Sequence, residues 1–416
     1  MPPKRGWDRI YLFFALTYVG QGLAGFVYEP ISYLLKDRLH LTAGQSSVFE
    51  FWMTLPFLIK PAFGLVSDLL PVGRRRRRPH FVLMAALATG AWLCLAGLRG
   101  YAYAPLLALL LLVNVGGAAG DVVCDAVMVE EGKASARTGV FQAVKIAALY
   151  LSIVATGLGG GWMTTHVSMR GSFLLAAALS ATILVSSVWS REPDAASAAS
   201  GAARGLRALV GQKRFWALCA FIFLWSFYPF LGAAQFYYES ETLKLTPQYI
   251  GFLDTLGGLA GALGAVAYGR VVGRVWPTER LVRAAVFAGA PLALGYLFFL
   301  GPVSTAIATV VVGFFLVGLR LAVMDWAAQS CPAWAEATAF AAYMSVFNIA
   351  ASASNAVGGN MYDWLRSGPL RLSGYGGAAA LSCVGAACTL ACWPLLGSVL
   401  RDDPARAEVA GLVVSL

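Results

Sequence analysis

Residues 55–68, with the sequence LPFLIKPAFGLVSD, decide the fold of this chain. This apolar stretch carries Lys60 near its middle and ends at Asp68, and Gly73 and the arginine run 74–78 follow in a short loop. A lysine is costly in the hydrocarbon of a membrane, and a block of arginines beside a membrane-spanning segment fixes the direction in which that segment points. Both features are typical of a membrane transporter.

The composition shows that the whole chain is apolar, not only this segment. Hydrophobic residues make up 59% of the 416 residues and charged residues only 12%. Backbone polar groups in lipid must be satisfied within a helix or a closed barrel, and runs this uniformly apolar lack the alternation of barrel strands. We therefore predict an all-α polytopic membrane protein with about twelve transmembrane helices. The predicted spans lie near residues 10–35, 46–70, 80–98, 103–128, 138–162, 171–190, 214–238, 248–271, 280–300, 303–327, 335–362 and 374–398.

Positive charge is distributed unevenly over the loops between these spans. Roughly 21 of the 31 Lys and Arg residues fall on the side of the amino terminus. The positive-inside rule then predicts that both termini are cytoplasmic, in an inner or plasma membrane. Loops that face anionic lipid account for the net charge of +10, so we expect membrane lipid, and not nucleic acid, as the partner of this charge.

Cysteine and histidine form no metal-binding pattern in the sequence. The seven cysteines lack C-x-x-C spacing and fall within or at the edges of predicted spans, where they serve as small apolar residues. The three histidines lie near predicted loops. Since no nucleophile with its base and no metal set presents itself, we expect no enzyme, no metal site and no cofactor.

The chain divides into two halves of six spans each. The apolar pattern breaks between residues 190 and 213. This break predicts one half at 1–190, a cytoplasmic linker at 191–213, a second half at 214–400 and a cytoplasmic tail at 401–416. A weak internal repeat with a shift of about 204 residues supports the division. The repeat carries Tyr33, Leu39, Leu41, Thr42 and Asp121 onto Tyr237, Leu243, Leu245, Thr246 and Asp325.

The loop after span two carries the pattern Gly64-x-x-x-Asp68, then Gly73, Arg74 and Arg75. This pattern resembles the signature loop of the major facilitator superfamily. A carboxylate at a helix end and arginines in a loop can latch neighbouring helices in one state and release them in the other, so we interpret these five residues as gating residues. The alternative is that the arginines are only a topology signal.

A longer run is similar to one branch of that superfamily, the folate-biopterin transporters. Residues 33–41 and 55–68 match that family's pattern on entry to and within span two, and residues 121–130, DVVCDAVMVE, match it in span four. The resemblance implies the major facilitator fold. It also implies a monomeric secondary transporter that moves a small folate or pterin-like organic anion by alternating access, coupled to protons.

The sequence leaves two other functions open. Related branches share the motif of the loop after span two, so a permease for another solute, such as a muropeptide or a sugar, is the first alternative. A membrane assembly factor that handles a pigment or a lipid without transporting it is the second. The substrate class rests on the resemblance and not on the residues themselves.

Asp121 and Asp125 lie one helical turn apart in span four. Two carboxylates so placed repel each other unless cations intervene, which favours proton binding by one of them. By topology the nearest cations are Lys60 in span two and Lys145 in span five. Either these residues form a proton relay or substrate-linked switch, or they form a static charge cluster that ties spans two, four and five together.

Arg320 is the cation that lies deep in an apolar run of the second half. A charge at that depth should face a cavity or a partner. A substrate with a carboxylate tail would meet Lys60 and Arg320 on opposite halves of a central cavity. The alternative is that Arg320 pairs with Asp325 or Asp254.

Glu29 in span one is a further costly carboxylate, and Pro30 beside it removes a helix hydrogen bond. It is a candidate proton site or a partner for Lys36 or Arg38. Tyr28 is a candidate for stacking on a flat heterocycle. The predicted substrate-binding residues are Lys60, Arg320, Asp121, Lys145 and Tyr28, and the predicted proton-coupling residues are Glu29, Asp121 and Asp125.

Overall fold

The computed structural model describes residues 7–60, 62–63, 78–135, 138–186, 210–272, 275–331 and 336–401. Within these ranges the chain forms helices and no strand. Seven of the helices are long and apolar enough to cross a membrane without interruption. The prediction of an all-α membrane fold with about twelve helices in two halves is confirmed.

Helices α1 to α6 form the first half. They are α1, which begins as Trp7–Leu23 and continues through Ala24–Val27, Tyr28–Tyr33 and Leu34–Arg38; α2, Ala43–Leu58; α3, Arg78–Gly97; α4, Tyr103–Ser135; α5, Thr138–His166; and α6, Met169–Ser186. The predicted linker overlaps residues 187–209, which lie outside the described residues, so its bounds stay a prediction.

Helices α7 to α12 form the second half. They are α7, Lys213–Trp225, which resumes as Ala233–Tyr237 and Tyr238–Thr242; α8, Pro247–Ala267 with Tyr268–Val272; α9, Thr278–Leu294 with Gly295–Phe298; α10, Pro302–Gln329; α11, Glu336–Ser367; and α12, Gly374–Leu390, followed by Trp393–Arg401.

The internal repeat is visible in the backbone where α1 and α7 end. Each helix widens into a π-helical turn, at Leu34–Arg38 and at Tyr238–Thr242. One residue after each turn adopts a left-handed conformation, with φ of 51° at His40 and 53° at Lys244. The threonine that follows in each copy then caps the next helix. The same local geometry, 204 positions apart, agrees with the repeat predicted from sequence.

Helix α7 is broken in the middle of the second half. Its first segment ends at Trp225, Pro229 lies in the gap, and Gly232 adopts φ of +96°, a conformation that favours glycine. The second segment begins at Ala233, whose N–H donates to Oδ1 of Asn355 on α11 at 2.8 Å. A Cβ atom on Gly232 would lie 2.3 Å from that same oxygen. The break is therefore built around one side chain of a neighbouring helix.

The two halves meet through α2 against α11 and α5 against α8. The N–H of Gly44 donates to Oδ2 of Asp363 at 2.7 Å, and the N–H of Leu158 donates to Oγ1 of Thr255 at 2.9 Å. A Cβ atom on Gly157 would lie 2.7 Å from the carbonyl oxygen of Gly251, so small residues allow this close approach. We call the end of the bundle that contains residues 39–46 and 243–251 the joined end.

Candidate functional site

A cavity of about 510 Å³ lies between the two halves. Its wall comes from α1, α2, α7, α8 and α11, so both halves contribute to it. Among the residues that the structure describes, four carboxylates line the cavity, which we call the acidic chamber: Glu29, Glu50, Glu239 and Asp254. Such a density of acidic groups at membrane depth is costly, and it marks a functional site.

Two of these carboxylates are held by amide side chains. Oε2 of Glu50 accepts a hydrogen bond from Nδ2 of Asn355 at 2.7 Å, and Asn355 also caps the second segment of α7. Oε1 of Glu239 accepts one from Nε2 of Gln235, one turn earlier on the same helix, at 2.8 Å. Asn355 therefore links α2 of the first half to α7 and α11 of the second half at the wall of the cavity.

The other two carboxylates have different surroundings. Both oxygens of Glu29 are buried and find no hydrogen-bond partner in the part of the chain that the structure describes. The side chain of Asp254 is exposed to the chamber, and no hydrogen bond to it is present among the described residues. Lys36, one of the predicted partners of Glu29, lies 3.2 Å from Asp37 instead. Within the described residues, therefore, Glu29 forms no ion pair with Lys36.

Tyr28 and Phe236 bring aromatic surface to the acidic chamber. Tyr28 is 51% exposed, beside Glu29 on α1. The ring of Phe236 packs edge-on against Tyr33 at 5.0 Å between centroids. Tyr28 therefore presents exposed ring surface in the wall of the chamber.

A second cavity of about 320 Å³ adjoins the first and contains Arg320. We call it the arginine chamber. The guanidinium carbon of Arg320 lies 5.5 Å from the ring centroid of Phe347, a cation–π distance. The hydroxyl groups of Ser226 and Ser354 in the same wall are buried and have no hydrogen-bond partner within the described ranges. The two chambers share Gly232, Ala351 and Asn355, so they are continuous.

Lys60 and the span-four carboxylates form a separate cluster. Nζ of Lys60 lies 2.6 Å from Oδ2 of Asp121 and 5.1 Å from the ring centroid of Phe57. The hydroxyl of Tyr18 donates to Oδ1 of Asp125 at 2.5 Å. These four charged and polar residues do not belong to the described walls of either chamber. The structure brings Lys60 to Asp121 as the sequence suggested, and Lys60 is not among the described residues that line the chamber of Arg320.

The remaining predicted site residues lie outside the described part of the chain. The gating residues Gly64, Asp68, Gly73, Arg74 and Arg75 belong to the gap between residues 63 and 78. Lys145 lies in α5, and its side chain is likewise outside the described residues.

Asp325, one candidate partner of Arg320, accepts hydrogen bonds from Tyr268 at 3.2 Å and from Gln329 at 3.3 Å.

Glu50, Glu239 and Asn355 were not predicted from the sequence, and Asp254 was considered only as a partner of Arg320. Glu50 and Glu239 interrupt or border apolar runs, and that position was the available signal. Asn355 gave no comparable signal, because an asparagine in a helix is not costly enough to stand out. Its importance follows from contacts with residues more than a hundred positions away.

Comparison with known proteins shows the family to which this chain belongs. A model of the BT1 family matches residues 21–298, more than half of the chain. The chain belongs to the BT1 family. A folate-biopterin transporter of Synechocystis is 27% identical to this BT1 protein over 410 residues, which cover 93% of the chain and 81% of the relative. A probable folate-biopterin transporter of Arabidopsis thaliana is 34% identical over 176 residues, which cover 41% of the chain and 36% of the relative.

Solved structures show that this BT1 protein has the fold of known transporters. The POT family transporter PepTSo superposes with a TM-score of 0.76 at 10% identity, and the match covers 96% of this chain and 100% of PepTSo. The nucleoside transporter NupG superposes with a TM-score of 0.73 at 11% identity, and the match covers 94% of this chain and 99% of NupG. The protein is thus an integral, multi-pass membrane transporter with the major facilitator fold, and not an enzyme.

Proposed function

We propose that this BT1 protein is a secondary transporter of folate or pterin-like organic anions, coupled to protons and working by alternating access. One observation carries the proposal: a cavity between the halves is lined by carboxylates at one side and by an arginine at the other. The names of the cyanobacterial and plant relatives support the substrate class.

The contacts at the joined end support alternating access. Hydrogen bonds such as Gly44 to Asp363 and Leu158 to Thr255 hold the halves together on one side of the cavity. A carrier that closes one side while the other admits substrate needs such a breakable interface. With both termini cytoplasmic in an inner or plasma membrane, the joined end faces outward, and we propose that this conformation is the inward-facing one.

We assign roles within this scheme according to position. Tyr28 and Arg320 line the chambers and are proposed substrate contacts. Lys60 and Asp121 are proposed to act as an ion pair that couples the end of α2 to α4, with Lys145 as a further cation of this cluster. Glu29, and Asp125 beside Tyr18, are proposed proton sites.

The gating residues remain a proposal from sequence. We expect Asp68→Asn to slow the transport cycle while substrate affinity stays within a few fold, since a gate changes the balance of states and not the cavity wall. Exchange rates and equilibrium binding, measured on the same preparation, test this. A loss of binding at an unchanged exchange rate would contradict the gating role.

Uptake into proteoliposomes tests the function as a whole. Purified protein is expected to accumulate labelled folate when an inward proton gradient is imposed, and unlabelled pterins should compete. Accumulation of a muropeptide or a sugar instead would identify a permease for another solute. The absence of uptake for all three solute classes would favour an assembly factor, and uptake indifferent to the gradient would mean uniport or exchange. The same preparation, analysed by size and mass, tests the expected monomer.

A further inference from the structure

Charge is segregated along the continuous cavity. Among the described lining residues, the acidic chamber holds four carboxylates, whereas the arginine chamber holds the guanidinium of Arg320 and the hydroxyls of Ser226 and Ser354. The three residues that the chambers share contribute no charge, since they are Gly232, Ala351 and Asn355. A ligand that spans both chambers therefore meets opposite electrostatic surroundings at its two ends.

A free carboxylate on the ligand fits the arginine chamber. Like charges at short range repel strongly where water is scarce, so the acidic chamber excludes such a group. Arg320 offers a planar fork that matches a carboxylate with two parallel hydrogen bonds. The hydroxyls of Ser226 and Ser354, for which the described ranges provide no hydrogen-bond partner, are two further donors in the same wall.

A ring edge with two adjacent N–H donors fits the acidic chamber. A pterin ring presents a ring N–H beside an exocyclic amino group, and this pair can bind both oxygens of one carboxylate. Glu50 and Glu239 already accept hydrogen bonds from amide side chains, and both carboxylate oxygens of Glu29 are buried. Asp254 is exposed to the chamber and has no hydrogen bond among the described residues, so it can accept both donors without losing a contact.

We infer that the cavity binds its ligand in one fixed orientation, with the donor edge of the heterocycle on Asp254 and the carboxylate tail on Arg320. This inference rests on the proposed function and names the two specificity-determining residues of that site. Tyr28 and Phe236 line the chamber that contains Asp254, where their rings can pack on the heterocycle.

Three ligands separate the two ends of the cavity. Folate carries both the heterocycle and the tail, biopterin carries the heterocycle without a carboxylate, and p-aminobenzoylglutamate carries the tail without the pterin. Calorimetric binding to the purified full-length protein at one fixed pH avoids any dependence on transport. We expect Asp254→Asn to weaken folate and biopterin binding about tenfold or more and to leave p-aminobenzoylglutamate within about twofold.

Arg320→Gln is expected to give the opposite pattern. It should weaken folate and p-aminobenzoylglutamate about tenfold or more and leave biopterin within about twofold. Arg320→Lys keeps the charge but loses the fork, so it should restore part of the tail binding. If D254N does not fold, Asp254→Glu, which displaces the carboxylate by one methylene group, should weaken the two pterin ligands selectively.

Matched controls come from an ion pair outside both chambers. Glu279 and Arg283 lie 2.7 Å apart at the start of α9, and Glu279→Gln and Arg283→Gln remove the same charges. Neither should change the affinity for any of the three ligands. Equal weakening of all ligands by D254N and R320Q, or an exchanged pattern, would overturn the orientation while the proposed substrate class stands. Wild-type protein that binds none of the three ligands would overturn the substrate class and the orientation with it.

Discussion

Nζ of Lys60 lies 2.6 Å from Oδ2 of Asp121, so two charges that are 61 positions apart in sequence form an ion pair between the end of α2 and α4. Both side chains are largely buried, with 28% and 16% of their surface exposed. Loss of one partner removes an attraction that offsets the burial of the other charge, which is more costly than losing both members of the pair.

We therefore predict that Lys60→Ala abolishes substrate uptake while the protein still reaches the membrane. Combining it with Asp121→Asn should restore stability beyond the sum of the single changes by about 1 kcal/mol, because the double variant also lacks the carboxylate that Lys60 contacts. Uptake and thermal unfolding of the three variants measure this. Wild-type uptake by K60A would remove Lys60 from the mechanism.

A second prediction concerns Glu29, whose oxygens are buried without a described hydrogen bond. Protonation removes the cost of this unpaired charge when the cavity closes, so uptake should rise as the outer pH falls. Glu29→Gln should flatten that dependence. Initial rates of uptake between pH 5 and 8 check it, with Glu279→Gln as the control that keeps the wild-type profile.

Asp125 is the other carboxylate predicted to carry a proton, and it accepts a hydrogen bond from Tyr18. Asp125→Asn, measured in the same series, should also flatten the pH profile. If both variants keep the full dependence on an imposed proton gradient, neither carboxylate takes part in coupling. If the wild-type protein shows no dependence at all, symport is excluded.

The third prediction concerns Asn355, which donates to Glu50 and accepts from the N–H of Ala233. Asn355→Ala leaves a carboxylate and a backbone donor without a partner, so we expect a loss of about 1–3 kcal/mol in stability. Thermal unfolding in detergent measures it. Asn360→Ala on the same helix is the control, because Asn360 is exposed and, among the described residues, donates to Ala356 of its own helix. Equal stability of both variants would contradict the structural role of Asn355.

The fourth prediction concerns the close contact of α5 and α8 at the joined end. A Cβ atom on Gly157 would lie 2.4 Å from Oγ1 of Thr255, so Gly157→Ala should force the two helices apart and favour the state in which this end is open. Spin labels at Arg170 and Lys244, in a background without the seven native cysteines, should move further apart. Gly90→Ala, where a Cβ meets nothing within 4 Å, should leave the distance unchanged.

Much of the fold could be predicted from sequence because its main determinants are local. Apolar runs of membrane length specify helices wherever they occur, and the repeat around Thr42 and Thr246 has a local cause, a π-helical turn followed by a left-handed residue. The break in α7 was not predicted, although Pro229 and Gly232 mark it. Both residues are common in transmembrane helices, so they do not by themselves indicate a break. A break also needs a neighbour such as Asn355 to bind the backbone groups that lose their helix hydrogen bonds.

The site was predicted only in part, because rotation of a helix about its axis depends on packing. Glu29 and Arg320 were identified because a charge within a membrane span is costly, and Tyr28 was identified because its ring can stack on a flat ligand. All three residues line the chambers. Lys60 is equally costly, but it is paired with Asp121 instead. Glu50 accepts a hydrogen bond from Asn355 of the other half, and no local sequence pattern encodes such a long-range contact.

The cap on the second segment of α7 also has a consequence for biosynthesis. Ala233 and Asn355 are 122 positions apart, so the ribosome must add all of the intervening chain before the backbone donor finds its acceptor. At translation rates of about 5–20 residues per second, that wait is on the order of ten seconds. During that interval the N–H of Ala233 lacks its acceptor on Asn355. It gains this acceptor only after α11 has been synthesised.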